Sequence, residues 1–260
     1  PHRATPDVVL ENPDLAAATT VLKLDVCRRL PFDSVELVQT FYDFPFASLA
    51  KKGERFLQPR KSSNGSPIDA AIDQLSSSST VILAHPTGSD GAPIETDREL
   101  AKVAATVAQR LLDRGCLIST NPKEHNKPRK LLPEDIGIVS THNQMNTAIM
   151  TELSSDLSRI RVTTPERWQG LQRPVMIAIH PLSGVMFPSS FDLETGRLCV
   201  MASRHESACI FITRDHVGET LDTHLPIADQ ALGRSDVVGR GHSQHTEFWR
   251  YHAQRNLIIN

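Results

Sequence analysis

Two signatures of phosphate chemistry are missing from this chain. No Gly-x-x-x-x-Gly-Lys-Ser/Thr stretch occurs, so the usual phosphate cradle and its Mg²⁺-holding hydroxyl are absent. Nor does any apolar strand end in the Asp-Glu pair that would hold the metal and activate water. The four cysteines, Cys27, Cys116, Cys199 and Cys209, are scattered without C-x-x-C spacing, as expected of buried, reduced thiols in a cytoplasmic protein. Neither a signal peptide nor a run long enough to cross a bilayer is present, so no membrane partner is expected. Positive charge is not in excess: 28 Lys and Arg against 30 Asp and Glu leave a net charge of −2. That argues against a free-standing basic nucleic-acid module, though not against half of a groove completed by a partner domain. His242, His245 and His252 lie close in sequence, but no acidic or cysteine partner completes a ligand set, so no metal site is expected. No internal repeat is visible. The chain starts at Pro1 without a methionine, and the expectation is a fragment of something longer.

What is present is an ordinary balance, 260 residues with 39% hydrophobic and 22% charged, enough for one core or one core plus an appendage. Residues 1–79 read as an N-terminal helical and linker segment. It holds a short helix near 15–20, a strand at 20–24, a helix over 32–41 begun by Pro31, and a polar stretch from 51 to 80 around one short helix at 68–75. Residues 80–260 read as the main domain. Its expected elements are a buried strand at 81–84, a helix from an N-cap at Thr96 to Arg114 stopped by Gly115, a strand at 136–140, a helix at 144–157 and a strand at 160–163. A basic loop at 121–130 reads as a solvated connection, and an aromatic-bearing helix at 247–254 as packing back on the domain. Alternating strands and helices imply an α/β fold with a mainly parallel, doubly wound sheet and helices on both faces.

The densest information lies in residues 161–215. A strand end, RIRVT, turns at Thr164-Pro165, a natural N-cap and first helical residue, which leaves backbone N–H groups free for an anion. The apolar run at 174–179 reads as a strand buried on both faces, followed by a helix over 196–205 and a second buried strand at 208–213. That order puts the Gln169-Gly170 turn and Arg204 at one edge of the sheet, and such an edge is where open α/β sheets bind ligands.

TPERWQGLQRPVMI (164–177) resembles motif V of the superfamily 1 helicases, written T-V-D-x-F-Q-G-x-E before an apolar strand. RLCVMASRH (197–205) resembles their motif VI, R-L-N-V-A-x-T-R-A-R. Upstream and in the expected order, DIGIVSTHNQ (135–144) is similar to motif IV and VCRRLP (26–31) to Q-Y-R-M-H-P. The matches span residues 24–216 and point to the second of the family's two RecA-like domains.

The resemblance implies half of an active site. Arg204 matches the first arginine of motif VI, and Arg28, beside Arg29, matches the arginine of Q-Y-R; either would be the cation presented to the γ-phosphate of ATP. Gln169, Gly170 and Gln172 match the nucleotide-contacting Q-G-x-E. Mg²⁺ would be held mainly by the first RecA-like domain, which the resemblance makes the intramolecular partner. Thr141, His142 and Thr164 match residues that hold the backbone of a single strand, DNA rather than RNA. Three departures stand out: Cys27 replaces a base-stacking tyrosine, Gln172 a ribose-binding glutamate, and Glu206 the second arginine of T-R-A-R. The function implied is the C-terminal half of an ATP-dependent helicase or translocase, inactive alone; the alternative is a catalytically silent helicase-like scaffold.

Overall fold

The computed structural model describes residues 9, 11–22, 24–88, 96–120, 128–224 and 237–260. In chain order its elements are α1 (Pro13–Ala17), β1 (Val26–Cys27), α2 (Ser34–Gln39), β2 (Ala47–Ser48), β3 (Phe56–Gln58), α3 (Pro67–Gln74), β4 (Thr80–His85), α4 (Arg98–Asp113), β5 (Leu117–Ser119) and β6 (Arg129–Lys130). They continue with β7 (Ile136–Val139), α5 (Asn143–Glu152), β8 (Arg161–Thr163), α6 (Pro165–Trp168), β9 (Arg173–Ile179), α7 (Thr195–Ala202), β10 (His205–Arg214), α8 (Val217–Thr223), α9 (Val237–Gln254) and β11 (Ile258–Ile259). Six strands form one sheet in the order β11-β4-β10-β9-β7-β8, and every pairing in it is parallel.

Side chains alternate across a strand, so each central strand feeds two cores. Val81, Leu83, Val175, Ile177, Ala208 and Ile210 face α3, α4 and α5. Ile82, Met176, Ala178, Cys209 and Phe211 face α2, α6, α7 and α9. The chain is therefore an α/β fold with helices on both faces of the sheet. Phe211 and Phe248 meet edge to face at 4.6 Å, which seats α9 on the second face, as its aromatic content leads one to expect.

Several boundaries differ from the sequence expectation. The helix after Thr96 is capped instead by Asp97, whose carboxylate accepts from Leu100 N–H at 3.0 Å; it stops at Gly115, where φ is +60°. Residues 20–22 and 24 form no strand, and Lys23 lies outside the described residues. Most of the basic loop, 121–127, also lies outside them, while Arg129 and Lys130 form a strand edge against β5. The polar stretch 51–80 holds the expected helix, α3, and also β3. Asp69 anchors α3 to α4 through Arg110 at 2.7 Å, and that hydrogen bond holds the Asp69 carboxyl below the usual range.

The helix expected over 196–205 ends at Ala202. Ser203 and Arg204 form a turn, and His205 already belongs to β10, whose extended pairing with β9 overrides the helical period.

Candidate functional site

The turn that carries Arg204 is fixed from below. Arg173 N–H, at the start of β9, donates to the Arg204 carbonyl at 3.0 Å, so the turn sits at the amino ends of β9 and β10. His205 is locked by a hydrogen-bonded chain. Ser79 donates N–H and Oγ–H to Asp33, so its oxygen accepts from Ser34 Oγ, which in turn accepts from His205 Nε2 at 2.6 Å. That order leaves His205 Nδ1 a bare, buried acceptor. Burial drops the His205 imidazole to about 3, and Arg29 and Arg55 add to the effect.

Around this turn several buried polar atoms lack partners. Nε of Arg29, Arg55, Arg173 and Arg204, Nη1 of Arg55 and Oγ of Ser203 all make no hydrogen bond. Arg204 is half-buried, and its guanidinium is shifted down by that burial and by the like charge of Arg29. Arg55 is also lowered, mainly by burial, and its Nη2 holds the carbonyl of Arg28. Arg28 itself is exposed, and it is Arg29 whose charge acts on Arg204. The pattern at 26–31 does not separate these two neighbours; in the fold Arg29 faces Arg204 and Arg28 faces solvent. Arg55 and Tyr42 carry no motif signal and reach the site only by folding.

Gln172 precedes β9 and donates to Glu206 on β10 at 3.0 Å. Burial raises the Glu206 carboxyl, against the opposing pull of Arg55 and Arg29. Gln169 and Gly170 are exposed on the turn leading to Gln172, and Gly170 has φ +77°, a conformation that favours glycine. Beside Arg29 and Ser203 opens a cavity of about 290 Å³, lined by Leu24, Val26, Cys27, Leu30, Val38, Tyr42, Phe44 and Phe46.

The remaining candidates lie elsewhere. Thr141 and His142 follow β7, and Thr164 follows β8, at the carboxyl ends of parallel strands. Seven residues of β9 at ~3.3 Å each separate the two edges by about 20 Å. Gln172 and Arg204 do share an edge, as expected, but it is the amino edge and not the carboxyl edge where open sheets usually bind ligands. The cause is direction: both residues immediately precede a strand. At the carboxyl edge two described arginines are paired. Arg214 pairs with Asp97 and Glu99, each at 2.7 Å, and Arg197 with Glu166 at 2.9 Å. Thr164 takes the N-cap position of α6 without a side-chain cap bond and is buried. His142 caps α5 without a side-chain bond and lies 5.4 Å from the Phe191 ring.

Among the described residues, no group of three or more His, Cys, Asp or Glu is placed to hold a metal ion, and no helix is long and apolar enough to cross a membrane. No protein-family model matches the chain, and no curated protein matches it.

Proposed function

We propose that this chain is the second RecA-like half of an ATP-dependent superfamily 1 helicase or translocase. The observation that carries the reading is the set of orphaned donors at the amino edge, on Arg29, Arg55, Arg173 and Arg204. A buried donor without a partner costs roughly 1–3 kcal/mol. An anion with several oxygens relieves many such costs at once, and a nucleoside triphosphate is an anion of that kind.

Bound ATP supplies the γ-phosphoryl group, with Mg²⁺ held mainly by the first RecA-like domain. Arg204 presents positive charge to the γ-phosphoryl oxygens when the two halves close, an effect worth roughly 10³ to 10⁵ in rate. Arg29 and the exposed Arg28 extend the positive surface. Gln169, Gly170 and Gln172 approach the nucleotide as uncharged donors. At the opposite edge Thr141 and His142 hold the backbone of a single nucleic-acid strand through hydroxyl and N–H groups, and Thr164 fixes the turn beside them. Closure around ATP and reopening after hydrolysis then move that grip along the strand.

A second reading, a silent helicase-like scaffold, draws on Glu206, whose carboxylate sits among the arginines that would receive phosphate. The test uses the protein carrying both halves. Arg204→Ala should cut nucleic-acid-stimulated ATPase at least about a hundredfold, and Arg204→Lys should restore little, because an ammonium lacks the planar fork. A rate unaffected by Arg204→Ala would remove Arg204 from the chemistry, and no nucleic-acid-stimulated ATPase in the unmutated protein would leave the scaffold.

A further inference from the structure

The 290 Å³ cavity beside Arg29 is unlike the rest of the amino edge. Its walls are apolar and aromatic. Tyr42 meets Phe46 at 5.4 Å and Phe44 at 5.7 Å, both edge to face, and the three rings stand as one cluster in the loop after α2. At this size it suits one compact ring system rather than an extended cofactor. Two features point to an occupant. The Ser203 side chain is 2% exposed and lines the cavity, yet its hydroxyl has no partner. Arg29, also lining, leaves a buried Nε unpaired, and the charges of Arg204 and Arg29 both act on the Tyr42 phenol. Burial, then Cys199, pushes that phenol up to about 12, so Tyr42 stays neutral near pH 7.

An apolar slot, one polar group inside it and arginines at its rim match a flat heterocycle joined to phosphate. We infer that the cavity takes the base of the bound nucleotide, with the Tyr42 ring as its stacking surface, 15 residues beyond the Cys27 position that cannot stack, and with Phe44 standing edge to face beside it. This rests on the reading of the amino edge as a phosphate site. It adds a statement about choice of nucleotide. The polar group available to a base edge is the Ser203 hydroxyl, which rotates and so donates to a carbonyl as readily as it accepts from an amino group. Stacking is tolerant of base identity. The site accepts adenine and guanine nucleotides alike.

The experiment titrates the 260-residue chain with AMP, GMP and tripolyphosphate by calorimetry, and follows the ring protons of Tyr42 and Phe44 by NMR as adenosine is added. AMP and GMP should bind within about threefold of one another, and the ring protons should shift. Tyr42→Ala and Tyr42→Leu should weaken both mononucleotides at least about fivefold, the lower end of base–aromatic stacking, while tripolyphosphate binding and Tyr42→Phe stay near wild type. The assignment is overturned if the ring protons do not move, if Tyr42→Phe loses as much as Tyr42→Leu, or if GMP binds more than tenfold differently from AMP. Tripolyphosphate that binds while the bases add nothing removes the base pocket alone. If tripolyphosphate itself does not bind, the phosphate site goes with it.

Discussion

Gln172 Nε2 donates to Glu206 Oε1 at 3.0 Å, so two of the three departures from the helicase pattern touch each other. The pattern places a glutamate and an arginine at these positions, an attracting pair. The amide and carboxylate found here are again complementary, but together they carry one negative charge where the pattern pair is neutral.

Removing that charge tests what it does. Glu206→Gln keeps an acceptor for Gln172 and leaves Arg55 and Arg29 unopposed. Tripolyphosphate affinity should rise about fivefold, equivalent to ~1 kcal/mol of relieved repulsion at a partly hydrated site. Weaker binding on titration would mean that the carboxylate contacts the ligand.

Arg204 on a helix would point to solvent, and its loss would leave stability unchanged. In the turn it is half-buried against the like charge of Arg29, with Nε unpaired. Arg204→Met should therefore keep the melting temperature or raise it by up to about 3 °C, the effect of roughly 1 kcal/mol at this size. A clear fall in a thermal melt would make Arg204 a packing residue.

Buried histidines set the acid limit. Burial lowers His205 and His245 to about 3 and His252 to about 4, and holds His180 well below its usual value. Unfolded histidines titrate near ~6.5, so the unfolded chain takes up protons that the folded chain refuses. Their contribution is complete above pH ~6.5 and is lost as pH falls from there to about 4 for His252 and about 3 for His205 and His245, at up to ~1.4 kcal/mol per pH unit per histidine. Denaturant melts at pH 8, 6 and 5 should show it. Both ring nitrogens of His245 lack partners, so His245→Leu should stabilise at every pH and flatten the slope. An unchanged slope would mean that His245 is protonated in the fold.

Gly137 leaves room for Trp168 on the face of the sheet that carries α6. A Cβ there would stand 2.5 Å from Trp168 Cη2 and 2.8 Å from Met176 Sδ. Trp168 is fully buried, and its Nε1–H donates to the Ile138 carbonyl at 3.2 Å. Gly137→Ala should cost about 1–3 kcal/mol through overpacking and displace α6 with Gln169 and Gly170. Chemical denaturation and Trp168 emission would measure both; wild-type stability would show that the ring can shift freely.

Much of this architecture is local in origin and therefore readable along the chain. The run at 174–179, the Thr164-Pro165 turn and the helix stop at Gly115 depend on alternation, capping and one left-handed residue. The parallel β9 and β10 and helices on both faces follow from strands apolar on both sides. The short strands β3, β6 and β11 escaped, because two or three residues carry no period and pair only where a neighbour offers an edge.

Placement at the amino edge, the approach of Arg29 to Arg204, the joining of Arg55 and Tyr42 to Arg204, and the Gln172–Glu206 contact arise only in three dimensions. Each brings together residues from separate segments, and no local preference sets the distance between them. Even the end of α7 at Ala202 belongs to this class. Pairing with β9 draws His205 into a strand, and that long-range hydrogen bonding, rather than helix propensity, decides where Arg204 sits.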